Sequence, residues 1–230
     1  MQQRIRSNST EDVVTTSYER TDGALIDHII DFKNQLQIFR IFQPGEIDLG
    51  YPYQSTFCFV TREIKNEFIS SDAISKLRQK NPQTIRVAEE DKGWQLHEMT
   101  FGIDLSKSEF LSPILKMKCK VAQKSTFIGE SDLKYIASST KKDFTKLMEG
   151  TYAPVSSNIR CRDAKVKEAC KCRLDICNFW YPCSLKMCKG QDELGNSVVY
   201  RCGIHTCRKC RVFEFMIDAS YKCPWDILED

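Results

Sequence analysis

Hydrophobic and β-branched residues recur in short runs along the first 60 residues, and turn-forming residues such as Gly23 and Pro44 separate them. Runs of this length and composition are typical of β-strands. In the fourth run, Phe57 and Phe59 lie on one face and Cys58 on the other, because side chains alternate along a strand. Short connections favour antiparallel neighbours. The predicted strands cover 13–18, 25–32, 36–42 and 56–61.

Helical spacing follows, interrupted by one more strand-like stretch at 94–105. In the first helical segment Ser70 or Ser71 can act as the N-cap, and the apolar positions are Ile74, Leu77 and Ile85. Pro82 predicts a kink there or two short helices. Two further helices are predicted at 110–122, with Pro113 in the first turn, and at 133–148, with Gly150 after it.

Helical periodicity ends after residue 150, and 151–158 is predicted to be a linker because it is rich in Ser, Thr and Pro. Short strands are predicted beyond it, around 178–181, 198–202 and 212–217. The predicted organisation is therefore a first domain over 1–150, a linker over 151–158 and a cysteine-rich C-terminal domain over 159–230.

The 12 cysteines are unevenly distributed, since ten of them lie after residue 160. A segment this small and this rich in cysteine needs covalent or metal cross-links to fold. Zinc sites usually show two close ligand pairs, whereas the tail has one C-x2-C pair, with His205 beside it. Disulfides are therefore preferred, and a zinc module is the alternative. The tail cysteines are Cys161, Cys170, Cys172, Cys177, Cys183, Cys188, Cys202, Cys207, Cys210 and Cys223.

Cys58 and Cys119 stand alone in the first 160 residues. If the chain is exported they are expected to bond, since no third cysteine competes within that domain. The bond would close a loop that the chain-entropy account credits with roughly 4 kcal/mol of stabilisation.

The net charge of +3 is too small to indicate a nucleic-acid partner. Basic residues gather at Arg208, Lys209 and Arg211, a short cluster that leaves an acidic glycan open as a partner. No run of 18 or more apolar residues is present, so no membrane span is expected.

Catalysis finds little support in the motifs. No zinc-protease, nucleophile-elbow, phosphate-loop or dinucleotide motif occurs. Of the three histidines, His97 precedes Glu98 on a predicted strand and so faces away from it. His28 is expected to be a partly exposed strand residue and His205 a surface loop residue. We expect no enzyme and no cofactor.

The first residues lack the apolar segment of a signal peptide. Either the chain is intracellular, or it is a mature protein or sequence without its leader, and the cysteines favour the second explanation. In the secretory pathway Asn8, within Asn-Ser-Thr, would be a glycosylation site.

Several blocks of this sequence, in the same order, resemble the out at first proteins, and the likeness extends from about Arg4 to the end. The blocks are Ile30-Asp31-Phe32-Lys33-Asn34, Ile38-Phe39-Arg40, Cys58-Phe59-Val60-Thr61, Ala73-Ile74-Ser75-Lys76-Leu77-Arg78-Gln79-Lys80-Asn81-Pro82, Trp180-Tyr181-Pro182-Cys183, Leu185-Lys186, Cys202-Gly203-Ile204 and Cys223-x-Trp225-Asp226.

The resemblance implies a secreted protein whose first domain is BRICHOS-like, an antiparallel sheet flanked by helices with one disulfide matching Cys58 and Cys119. The expected fold is thus α+β, followed by a small, mainly β disulfide domain. The family aspartate would fall on Asp31. The family's tail usually carries eight cysteines, so Cys177 and Cys210 are additions here and are expected to pair. The other tail pairings stay open.

The function expected from these observations is that of a secreted extracellular protein-binding or signalling factor, developmental and non-catalytic, whose partner is an unidentified extracellular protein. Two alternatives are kept. One is a chaperone-like holdase for β-prone segments, which rests on fold analogy through the BRICHOS-like domain. The other is an intracellular zinc-binding module.

Overall fold

The structure is a computed structural model that describes residues 3–45, 54–76 and 86–226. Its larger sheet has eight described strands in the order β1-β2-β3-β4-β5-β8-β7-β9. Neighbours are antiparallel except β5 and β8, which run parallel. The strands are β1 (Gln3–Asn8), β2 (Val13–Glu19), β3 (Leu25–Asp31), β4 (Leu36–Gln43), β5 (Ser55–Arg62), β7 (Phe101–Ile103), β8 (Thr126–Ile128) and β9 (Thr151–Tyr152).

The four strands predicted near the N-terminus form within a residue or so of their expected bounds. Their connections turn sharply, and the turn between β2 and β3 contains Gly23, whose φ of 80° favours glycine. Strand alternation gives the sheet two apolar faces. One face, with Ile38 and Val60, lies under the helices, and the other, with Phe39 and Phe59, packs against the C-terminal part of the chain.

The helices are short. They are α1 (Ser71–Ser75), α2 (Pro113–Cys119), α3 (Glu130–Thr140) and α4 (Phe144–Glu149). The Ser70 side chain caps α1 by accepting from the Ala73 backbone N–H. The predicted positions Leu77, Pro82 and Ile85 lie outside the described residues. The helix predicted over 110–122 is split, because Ser112 caps a new helix at Pro113 and 3-10 turns flank it.

The helix predicted over 133–148 is divided as well. The first part, α3, ends at Thr140, and its C-cap Lys141 adopts a left-handed φ of 56°. Asp143 then caps α4 by accepting from the Thr145 backbone N–H. A capping residue in the middle of an apolar pattern starts a second helix, which the pattern alone does not reveal.

The second sheet has three described strands in the order β10-β11-β6, formed by β6 (Glu90–Met99), β10 (Cys170–Gln191) and β11 (Ser197–Ile217). The segments predicted as strands in the tail are all strand, but they are parts of two much longer strands, because β10 and β11 make one long antiparallel hairpin. Its turn is ordered by Asp192, whose carboxylate accepts from the backbone N–H groups of Leu194 and Asn196 at 2.9 and 2.8 Å. The parallel partner of β11 is β6, which precedes it by more than 100 residues.

The expected α+β class is wrong, because the described residues are mainly β, with a mixed rather than antiparallel eight-stranded sheet and few, short helices. The caps that cut the predicted helices and the length of the β10–β11 hairpin account for the difference. The predicted domains 1–150 and 159–230 stay a prediction, and strand pairing between β6 and β11 joins them in the structure.

Aromatic side chains form the core between the two sheets. Phe59 stacks on Phe213 with ring centroids 4.5 Å apart, and Phe57 meets Trp225 edge-on at 5.1 Å. The Trp225 indole N–H donates to the Gln43 side-chain oxygen at 3.2 Å. The C-terminal aromatic residue Trp225 is thus a core residue, while Phe179 is half exposed on the second sheet.

Candidate binding surface

Six disulfides stabilise the fold that carries the candidate binding surface. All 12 cysteines lie in the described residues and are paired. Cys58 on β5 is joined to Cys119 at the end of α2, so this bond fastens the helical layer to the larger sheet. The other bonds lie within the C-terminal part: Cys161–Cys170, Cys172–Cys223, Cys177–Cys210, Cys183–Cys207 and Cys188–Cys202.

Three of these bonds are cross-strand disulfides that join β10 to β11. Cys177 lies directly opposite Cys210 in the β10–β11 register, with their Cα atoms 4.0 Å apart. The bonds Cys183–Cys207 and Cys188–Cys202 also join β10 to β11, nearer the turn. The remaining bonds, Cys161–Cys170 and Cys172–Cys223, connect the start of β10 to residues outside the hairpin. A long, partly polar hairpin with little core of its own is thereby held in one register.

Two clusters of cysteine and histidine have metal-like proximity. Cys183, His205 and Cys207 lie together in one of them, and three cysteines form the other. In both clusters the sulfurs belong to disulfides and are not thiolates, the form that binds zinc. A zinc site at either place would therefore require reduction of the hairpin bonds.

His205 is on strand β11 rather than in the loop expected from the sequence. Its two ring nitrogens lie 2.9 Å from a Glu89 carboxylate oxygen and 3.0 Å from one of Glu90. Hydrogen bonds from Lys186 and then from His205 lower the pKa of Glu89. These contacts of Lys186 and His205 with Glu89 and Glu90 connect the hairpin to the start of β6.

His28 is buried, contrary to the expectation of a partly exposed residue. Its Nε2 lies 2.7 Å from the Gln37 Oε1, and its ring stacks on Phe39 at 4.3 Å. Burial, reinforced by the nearby Arg211 guanidinium, holds the pKa of His28 well below 6.5. The neutral imidazole is thus a core residue.

Asp31 is completely buried at the end of β3. Its carboxylate accepts from the Asn34 backbone N–H at 2.9 Å, from the Asn34 side-chain amide at 2.8 Å and from the Ser112 hydroxyl at 2.6 Å. Ser112 is also the N-cap of α2. The aspartate therefore links the β3–β4 turn to the start of the helical layer.

The basic cluster predicted as a glycan site does not form an exposed patch. Lys209 and Arg211 are 9% and 3% exposed, and both pair with Glu67, whose side chain is 9% exposed. Arg208 remains near the surface, where it pairs with Asp91. Glu67 was not singled out by the sequence, because its partners lie more than 140 residues away.

An open groove of about 910 Å³ lies on the helix-side face of the larger sheet. We call it the sheet groove, and its lining includes Arg4, Ser17, Leu25, Asp27, Arg40, Phe42 and Val121. Ser17, Asp27 and Arg40 lie in one register row across β2, β3 and β4. The Ser17 hydroxyl donates to Asp27 at 2.6 Å, and Asp27 pairs with Arg40.

Asn8 is exposed at the end of β1. Its side-chain oxygen accepts from the backbone N–H groups of Thr10 and Glu11 at 3.1 and 3.2 Å. The predicted sequon thus lies in an exposed surface turn.

The class of protein defined by these observations is a mainly β, disulfide-rich protein with an open groove on its larger sheet. The out at first family model matches residues 1–136, and its C-terminal companion matches residues 160–227. The chain is 38% identical to the out at first proteins of Drosophila virilis and Drosophila melanogaster over 98% of its length. It spans 78% of the first relative and 49% of the second.

This chain belongs to the out at first family. No solved structure matches it. None of the described helices is long and apolar enough to cross a membrane.

Proposed function

We propose that this chain is an extracellular, developmental factor that acts by binding another protein and has no catalytic activity. The observation that carries the proposal is the pairing of all 12 cysteines into six disulfides. Disulfides form and persist in oxidising compartments and are rare in the cytosol. Membership of the out at first family, shown by relatives that match this sequence over nearly its whole length, supports the developmental role.

A second support is a set of exposed apolar side chains on the outer face of the second sheet. Trp94 and Leu96 on β6 are 60% and 55% exposed, and Trp94 lies in register with Cys210. Phe179 is exposed on β10, where Arg208 covers part of its ring at 5.5 Å. Aromatic residues and arginine are both enriched where proteins bind one another.

The first experiment measures the oxidation state. The full chain is expressed behind a signal peptide and alkylated without reduction, and its intact mass and zinc content are determined. We expect secretion, no alkylated cysteine and no zinc. Several alkylated cysteines together with stoichiometric zinc would overturn the extracellular proposal in favour of the zinc module.

The second experiment measures binding to cultured cells with the labelled, oxidised protein. We expect saturable binding that persists after heparinase treatment of the cells and is lost after trypsin treatment, because the partner is a protein. The double variant Trp94→Ser and Leu96→Ser should bind more weakly, whereas the matched control Val199→Ser and Leu194→Ser, exposed at the tip of the hairpin, should not. Trypsin-resistant binding alone would contradict a protein partner.

A further inference from the structure

Uncompensated positive charge is concentrated around α2. Between Phe110 and Gly129 the chain has four lysines and no Asp or Glu. We call these lysines the lysine ridge: Lys116, Lys118, Lys120 and Lys124. Lys116 pairs with Glu109 at 2.6 Å, but the other three form no ion pair with any described residue.

The lysine ridge borders the sheet groove. Val121, which lies between ridge residues, lines the groove and is 75% exposed. Arg40 in the groove donates from Nη1 to the Lys118 carbonyl at 3.4 Å. Arg40 is already neutralised by Asp27, so the ridge adds positive charge rather than replacing it.

A further cation lies on the opposite side of the groove. Arg4 on β1 is in register with Ser17 and has no carboxylate partner among the described residues. Three strand spacings separate it from Arg40, which corresponds to about 14 Å. Glu19 is the one lining carboxylate without a described cation, so the lysine ridge and Arg4 together leave this surface positive.

The groove itself is partly apolar. Leu25 is 50% exposed in it, and Phe42 is half-buried beside Leu25 in the β3–β4 register. A ligand that fits has anionic groups along its edges and a carbon face that covers these side chains. A sulfated sugar chain has both, since its sulfates meet the cations and the C–H faces of its rings pack on apolar groups. A flat bilayer does not enter a concave groove.

We propose that the sheet groove and the lysine ridge bind a sulfated glycan chain. The proposal rests on the extracellular location in the proposed function, but it does not depend on the protein partner. It also assigns the glycan to a different surface from the 208–211 cluster, whose lysine and second arginine are buried against Glu67.

The test measures the affinity of the full, oxidised chain for a fluorescent heparin hexasaccharide by anisotropy. The double variant Lys118→Gln and Lys120→Gln should weaken binding about five- to tenfold, since two exposed ion pairs with sulfate groups are lost. The matched control is Lys165→Gln and Lys167→Gln, which has the same spacing and charge change on exposed loop residues. Its affinity should stay within twofold of the unchanged chain.

A second pair of variants tests the groove rather than the charge of α2. Val121→Glu places a carboxylate on the groove wall, and Val166→Glu, at a side chain that is 67% exposed, is its control. Because both valines are exposed, neither change should unfold the protein. We expect Val121→Glu to reduce hexasaccharide affinity at least tenfold and Val166→Glu to leave it unchanged.

The proposal would be overturned by equal binding of both double variants, by undiminished binding of a fully desulfated hexasaccharide, or by equally tight binding of an oligoglutamate peptide. Tighter binding to phosphatidylserine vesicles than to heparin would instead assign the surface to a membrane and also overturn it. Each result leaves the trypsin-sensitive cell binding and the disulfide count unaffected, so failure here is distinguishable from failure of the proposed function.

Discussion

At the scale of single residues, His28 couples the stability of the fold to pH. The folded state holds the pKa of this buried imidazole well below 6.5, so the unfolded state binds a proton that the folded state does not. The unfolding free energy should therefore fall as pH drops through 6.5, by at most about 1.4 kcal/mol per pH unit. Carboxylates whose pKa is lowered, such as Glu214, contribute only at lower pH.

Urea unfolding at pH 7.5, 6.5 and 5.5 tests this effect. His28→Gln should flatten the dependence on pH. An unchanged slope in this variant would show that His28 is not the group responsible.

Asp31 should stabilise the fold more than its position near a turn suggests. Asp31→Ala leaves the Asn34 amide groups and the Ser112 hydroxyl without their buried acceptor, which should cost about 2–4 kcal/mol. Asp143→Ala removes an exposed helix cap and should cost about 1 kcal/mol. Equal losses in urea unfolding would argue against the buried role of Asp31.

At this scale the sequence predicts features that depend on adjacent residues and misses features that depend on residues far apart in the chain. The alternation of Phe57, Cys58 and Phe59 depends on neighbours and was predictable. The burial of Lys209 and Arg211 was not, because it depends on Glu67 more than 140 residues earlier, which no local pattern reveals. The sheet groove likewise requires knowledge of which strands are adjacent.

At the scale of elements, the two disulfides singled out in the sequence should differ in their contribution to stability. Removing Cys58–Cys119 with two Ala substitutions should cost about 4 kcal/mol, since the bond spans 61 residues. Removing Cys177–Cys210 should cost less, about 2–3 kcal/mol, because the neighbouring Cys183–Cys207 bond already closes most of the same loop.

Unfolding in urea under non-reducing conditions measures both losses. The single variant Cys177→Ala tests the pairing itself, since peptide mapping should then find one free thiol, at Cys210. A free thiol at any other cysteine would refute that pairing, and a larger loss for the hairpin bond would refute the loop argument.

Element lengths show where local patterns stop being informative. The first four strands were predictable because each is a compact apolar run between turns. The β10–β11 hairpin was not, since its outer half is polar and exposed and is held by cross-strand bonds such as Cys188–Cys202 rather than by an apolar face.

At the scale of the whole molecule, the two family models match separate segments, yet the structure packs those segments on one another. No disulfide crosses the connecting segment, because Cys58 and Cys119 pair with each other and the other ten cysteines all follow residue 160. Apart from the connecting chain itself, the two parts are therefore held together by noncovalent contacts. These are the parallel β6–β11 pairing, the aromatic core and the Glu67 ion pairs.

This arrangement predicts that the two parts stay together after the chain is cut. A protease site inserted between Ser156 and Ser157, in a segment without regular structure, should be cleaved without loss of the native fold. The two pieces should then elute together on size exclusion, since separation would expose Phe59 and Phe213 to water. An uncut chain is the control. Elution of two separate folded pieces would show that β6–β11 pairing does not hold them, and each part would then be an independent domain.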